Sequence, residues 1–163
     1  MSQDENLSQP SAPELPDSYN PGDPFAAYAS DVDTSYPIIP GSLYDLEVKK
    51  AERGKTKDEQ GKKIDFELAT TSDTQSITGE PVPAGFVIMH NIGITPTQKY
   101  TVEMVKKALG SFLQAAGLGS LRLSDFMSNP SQAVDKIIRC KVGISKETEE
   151  FSSRNQMKSF VKV

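Results

Sequence analysis

Two stretches of this chain alternate apolar and polar residues in strict succession, and that period restricts them to strands with one wet face. In "SLYDLEVKK", Tyr44, Leu46 and Val48 fall on one side and Asp45, Glu47 and Lys49 on the other. In "KKIDFELAT", Ile64, Phe66 and Leu68 oppose Lys63, Asp65 and Glu67. The charged segment "ERGKTKDEQGKK" joins them, so the pair reads as a long hairpin with a polar tip. Matching the apolar faces sets Val48 opposite Phe66, Leu46 opposite Leu68 and Lys49 opposite Asp65, an acceptable outer cross-strand pair.

The rest of the chain supplies three more strands and a helix. "TSDTQSITGEPVPAG" reads as a polar loop and "FVIMHNIGIT" as a third strand. In "YTVEMVKKALGSFLQAAGLG", Thr101 is placed to cap a helix, Val102, Val105, Leu109, Phe112, Leu113 and Ala116 form one apolar face, and Gly117 ends it. A short helix and turn follow in "SLRLSDFMSNPSQAV". The strands "KIIRCKVGIS" and "RNQMKSFVKV" close the order, with Met157, Val161 and Val163 set against Lys158, Phe160 and Lys162. Strand-strand-strand-helix-strand-strand is the order of a five-stranded OB-fold-like barrel, mainly β with one principal helix. An unrelated α+β sandwich is the rival architecture.

Composition divides the chain. Residues 1–40 hold seven acids, no Lys or Arg, and seven of the eleven prolines. The remaining residues carry all 18 basic residues against 15 acids, a net of +3 beneath a whole-chain charge of −4. Residues 1–37 are therefore expected to be a disordered acidic tail and residues 38–163 the folded domain. No apolar run is long enough to span a membrane, and the acidic start is unlike a secretory leader, so the expectation is a cytoplasmic protein. One cysteine, Cys140, and one histidine, His90, exclude a disulfide framework within the chain and most metal or triad chemistry, and no cofactor is expected.

Gly54-Lys55-Thr56 matches the end of a phosphate-binding P-loop, but Lys49 stands where the first glycine is required and a strand follows instead of a helix. What remains is charge. Residues 49–63 carry Lys49, Lys50, Arg53, Lys55, Lys57, Lys62 and Lys63 against Glu52, Asp58 and Glu59, a net of +4. Such a tip is either an electrostatic arm for a nucleic-acid backbone or a solvated end that keeps a sheet edge soluble. Residues 136–163 are also net +4, and Arg139, Lys141, Lys158 and Lys162, with Arg154 nearby, are expected to share an outer face with Phe160. Cations around a ring suit single-stranded nucleic acid, with Tyr100 as a second candidate ring. The alternative is that Phe160 faces the helix and the core. Asp45, Glu47, Asp65 and Glu67 share one strand face and could hold a divalent ion for hydrolysis, but they read as a soluble face, and no enzyme is expected.

These stretches together resemble a family of small phage proteins. The resemblance rests on "PGSLYDLEVKKAERGKT" with "GKKIDFELAT", on "VKKALGSFLQAAGL" before a short polar helix, and on "KIIRCKVGIS" followed after a variable turn by Arg154-Asn155 and a last strand. The family comprises OB-fold-like proteins encoded among phage replication and recombination genes, several regarded as single-stranded DNA-binding proteins. It implies sequence-tolerant binding of single-stranded DNA in a host cytoplasm, and leaves room for a homo-oligomer. Such proteins often carry an acidic tail at the C-terminus. Here the acidic tail is N-terminal, where it would recruit replication or recombination proteins or compete with DNA for the body's cations. The alternative function is a non-enzymatic adaptor, such as a phage assembly or decoration protein, with the barrel as scaffold.

Overall fold

The structure, a computed structural model, describes residues 22–31, 36–148 and 152–162. The chain forms two units, residues 1–35 and 36–163. Most of the tail expected to be disordered, residues 1–21 and 32–35, lies outside the described residues. In the first unit, the Asp23 carboxylate accepts from the Phe25 amide at 3.0 Å, and a 3-10 turn spans Ala29–Asp31. Phe25 is fully in solvent there.

The second unit is mainly β with one main helix. In chain order it contains β1 (Ser42–Lys55), β2 (Lys62–Thr70), β3 (Thr74–Gln75), β4 (Pro81–Val82), β5 (Val87–Gly93), α1 (Val102–Ala115), α2 (Leu123–Ser128), β6 (Ile137–Ile144) and β7 (Asn155–Phe160). The five long strands form one antiparallel sheet in the order β5-β2-β1-β6-β7. β3 and β4 make a small separate hairpin inside the expected polar loop. There the hydroxyl of the buried Ser76 accepts the amides of Thr78 and Glu80 at 3.2 and 3.1 Å, which closes the turn.

The sheet is open, not the closed barrel that the strand order led us to expect. Among the described residues no backbone hydrogen bond joins β5 to β7. β7 is short and bulged, and a bulge bends and twists its strand away from regular pairing. Side chains bridge the gap instead. His90 on β5 and Phe160 on β7 meet edge to face, with ring centroids 5.4 Å apart.

The first hairpin pairs differently from the apolar match. Val48 stands opposite Leu68, Leu46 opposite Thr70 and Ala51 opposite Phe66, while Asp65 faces Glu52 and not Lys49. Two features cause the shift. Lys49 is the extra residue of a β-bulge, with no opposite residue on β2. The turn is also wide. The Thr56 amide donates to the Gly61 carbonyl at 2.9 Å, the Gly61 amide to the Thr56 hydroxyl at 3.0 Å, and the Gln60 amide to Asp58 at 3.0 Å. The Thr56 hydroxyl and the Gln60 amide together hold the Asp58 carboxyl below the usual carboxylate range.

The core lies between the inner face of the sheet and the helices. The Thr101 hydroxyl accepts from the Met104 amide, and α1 buries Val105, Leu109, Phe112, Leu113 and Ala115, with Val102 left exposed at its first turn. Phe66, Phe112 and Phe126 pack ring to ring, with centroids 4.4, 5.8 and 6.5 Å apart, and all three are fully buried. Cys140 is buried and its thiol is pushed up to about 12 by burial, so it is an inert core residue. Ile39 is also fully buried, and the Asn155 side chain holds it in place. Ile39 N–H donates to Asn155 Oδ1 at 2.9 Å, and Asn155 Nδ2 donates back to the Ile39 carbonyl at 2.8 Å. The amide thus stands in for one rung of a strand ladder.

Burial lowers the pKa of His90 below its ordinary value of 6.5. Protonation is then easier in the unfolded chain, so the native state loses stability as pH falls from about 6.5 towards that lowered value. His90 is the one histidine in the chain, and few carboxylates titrate in this window. The melting temperature is expected to fall between about pH 7 and pH 5, and His90→Gln should flatten that limb. An equally steep limb in the variant would assign the loss to other groups.

Candidate nucleic-acid interface

The bulge at Lys49 decides which cations meet each other. Before it, Leu46 and Val48 point inward; after it, the inward positions are Ala51, Arg53 and Lys55. Residues directly opposite on antiparallel strands share a face. Arg53 is opposite the buried Ile64, and Lys55 is opposite Lys62. Arg53, Lys55 and Lys62 therefore stand together on one face of the hairpin, beyond the end of the core, and all are exposed. None makes an ion pair among the described residues.

The outer face is built the other way. Lys50 lies 3.4 Å from Glu52 and 3.8 Å from Glu67, Lys63 lies 3.1 Å from Asp65, and Lys49 at the bulge lies 3.2 Å from Glu47. Arg139 on β6 grips Asp45 with two bonds, at 3.0 and 3.3 Å, and its guanidinium holds the Asp45 carboxyl below the usual range. Such exposed pairs contribute little stability, but they neutralise the face. The four acids named as a conceivable metal cluster are each engaged by a cation, and no grouping fit for a metal ion exists among the described residues.

Lys57 sits in the turn itself. A cleft of about 660 Å³ opens there between the turn residues Thr56, Lys57, Asp58 and Gln60 and the β5–α1 loop at Thr95 and Thr97. The loop supports the tip, since the Lys62 amide donates to the Thr95 hydroxyl at 2.8 Å. On the outer side Gly54, Lys63 and Gly93 are lateral neighbours across three strands. The Tyr100 ring lies over Gly93, so close that a Cβ there would touch it at 3.4 Å. Tyr100 is thus a half-buried ring beside the basic tip.

The C-terminal strands are arranged otherwise than expected. Lys158 is the extra residue of a second bulge, opposite the step from Lys141 to Val142. Met157 therefore faces the buried Val142, and Phe160 faces the buried Cys140. Phe160 points inward, against Phe112 and His90 with centroids 5.4 Å from each, and does not share the outer face with the lysines. Lys141 and Lys158 do stand outside, where the Lys158 stem lies across Gly143. Arg154 precedes β7, its amide bonded to the Ser145 hydroxyl at 3.1 Å, and Lys162 follows the strand. Lys141 is opposite Leu43, at the start of β1, whereas Arg53 and Lys55 are at its end. The two basic hairpins do not merge into one patch.

No protein-family model matches the chain, and no curated protein matches it.

Proposed function

We propose that the second unit is an OB-fold-like module that binds single-stranded DNA without reading its sequence, in a phage replication or recombination setting. The observation that carries this reading is the sorting of charge on the first hairpin. Its outer face is neutralised pair by pair, while Arg53, Lys55 and Lys62, on the other face with Lys57 at the turn, have no ion-pair partner among the described residues. Lys55 directly opposite Lys62 is an unfavourable like-charge pair, which a phosphate between them would relieve. Counting long strands only, the sheet order is 3-2-1-4-5 with α1 after the third, and in an OB fold the loop between the first two strands is a nucleic-acid contact. The alternative is an adaptor in which N-terminal aromatics bind a partner. It draws on Phe25 and Tyr36, which are 89% and 88% exposed.

Fluorescence anisotropy with labelled oligo-dT at several salt concentrations separates the two. Four phosphate contacts, at about −0.7 each on single strands, give a log–log slope near −3. A slope near zero, or no binding at low salt, favours the adaptor.

A further inference from the structure

The open seam of the sheet encloses a cleft of about 290 Å³. Among the residues that line it are His90 and Ile92 of β5, Ser111 of α1, and Met157, Lys158 and Phe160 of β7. We infer that this cleft receives a single nucleobase of the bound strand, an inference that rests on the single-stranded DNA reading.

Three observations point to that occupant. The volume is at the small end for ligand sites, right for one ring system and too small for an extended ligand. Its wall is mainly apolar, made by Ile92, Met157 and the edge-to-face rings. Its rim carries polar groups that no described residue pairs. The half-buried His90 imidazole makes no hydrogen bond to any described residue, nor do the hydroxyls of Ser111 and Ser159, which also borders the cleft. The facing edges of β5 and β7 add backbone groups that no ladder joins. A hydrocarbon side chain would cover these groups without pairing them, whereas a base carries donors and acceptors around its ring. Hydroxyls and strand edges both donate and accept, so any base is tolerated.

The cleft is also connected to the cations by the sheet register. Arg53 is opposite Ile64, and Ile64 is opposite Ile92 in the cleft wall. Two strand spacings, roughly 10 Å, therefore separate the hairpin's cationic face from the wall of the cleft. A strand held by its phosphates at the tip can place a base in the seam.

Thymidine 5′-monophosphate is the probe, titrated into the full chain while the ring resonances of His90 are followed by NMR. The one histidine makes that signal unambiguous. The His90 signals are expected to shift along a saturating curve in the millimolar range, and Ser111→Trp or Ser159→Trp, both at exposed positions, should weaken the affinity about ten-fold or more. The amide spectrum of each variant checks its fold, and two variants on opposite walls guard against one misfolding. Replacing Arg53, Lys55 and Lys62 by Ser should leave the His90 shift intact, because none of the three lines the cleft. No His90 shift up to about 10 mM overturns the inference, even where oligo-dT still binds the hairpin. A shift that both Trp variants retain also overturns it, as does a shift with N-acetyltryptophanamide and none with the nucleotide. A His90 shift in a chain whose oligo-dT binding ignores the hairpin would keep the cleft and reject the hairpin.

Discussion

Replacing Arg53, Lys55, Lys57 and Lys62 together by Ser is expected to cut oligo-dT affinity at low salt on the order of a hundred-fold and to remove most of the salt slope. Each of these side chains ends in solvent without an ion-pair partner among the described residues, so it is available to a phosphate. The same change should leave the melting temperature within a few degrees or raise it. It removes no buried contact, and it relieves Lys55 facing Lys62, a clash of up to about 1 kcal/mol. The control is on the opposite face of the same strand. Lys49 and Lys50 are held by Glu47, Glu52 and Glu67, and changing both to Ser should alter affinity only slightly. Anisotropy on the two variants decides the matter. Equal losses would mean that net charge alone is read, and no loss in the first would leave the tip as a device that keeps a sheet edge soluble.

The largest effect on stability is expected at Phe112. Its ring is fully buried and touches Phe66, Phe126 and Phe160, so it ties α1 to the sheet and to α2. Phe112→Ala should destabilise the fold by about 3–5 kcal/mol, read from the shift of a denaturant midpoint. Phe160→Ala should cost less, because that ring is only partly buried. The comparison also tests its role. A Phe160 variant that loses DNA affinity while nearly keeping its midpoint would show the ring serving a bound base more than the core.

Much of the architecture was legible because it depends on local patterns. Alternation located the strands, the Thr101 cap began the helix, and the spacing of Val105, Leu109, Phe112 and Leu113 marked its buried face. The charges of the candidate site were legible too. Their faces were not, for one physical reason that acts twice. A bulge inserts a residue without changing the composition of the alternation, and here Lys49 and Lys158 are the inserted residues. After Lys49, Arg53 and Lys55 move to the inward phase. After Lys158, Phe160 does the same, and the stacking ring expected outside turns toward Phe112. Counting by two cannot detect this, because the inserted residue is decided by pairing with a distant strand. The open seam was hidden for a related reason. Strand order predicts which edges come near each other, but whether they bond depends on the twist and length of β7.

The clamp between Ile39 and Asn155 bears on the order of events in folding. It joins positions 116 residues apart, and the bonded side chain sits on the last strand of the sheet. Ile39 leads directly into β1, the strand that both β2 and β6 flank. On a ribosome, the β1–β2 hairpin emerges early and can form by itself, but the segment that seats Ile39 must wait for β7. Until then an apolar residue and the free edges of the sheet stay uncovered. Native contacts with such long sequence separation slow the final step, and a half-made chain is at its most aggregation-prone in that interval. A chain that stalls before Asn155 would therefore be expected to be a substrate for chaperones and not a smaller working version of the module.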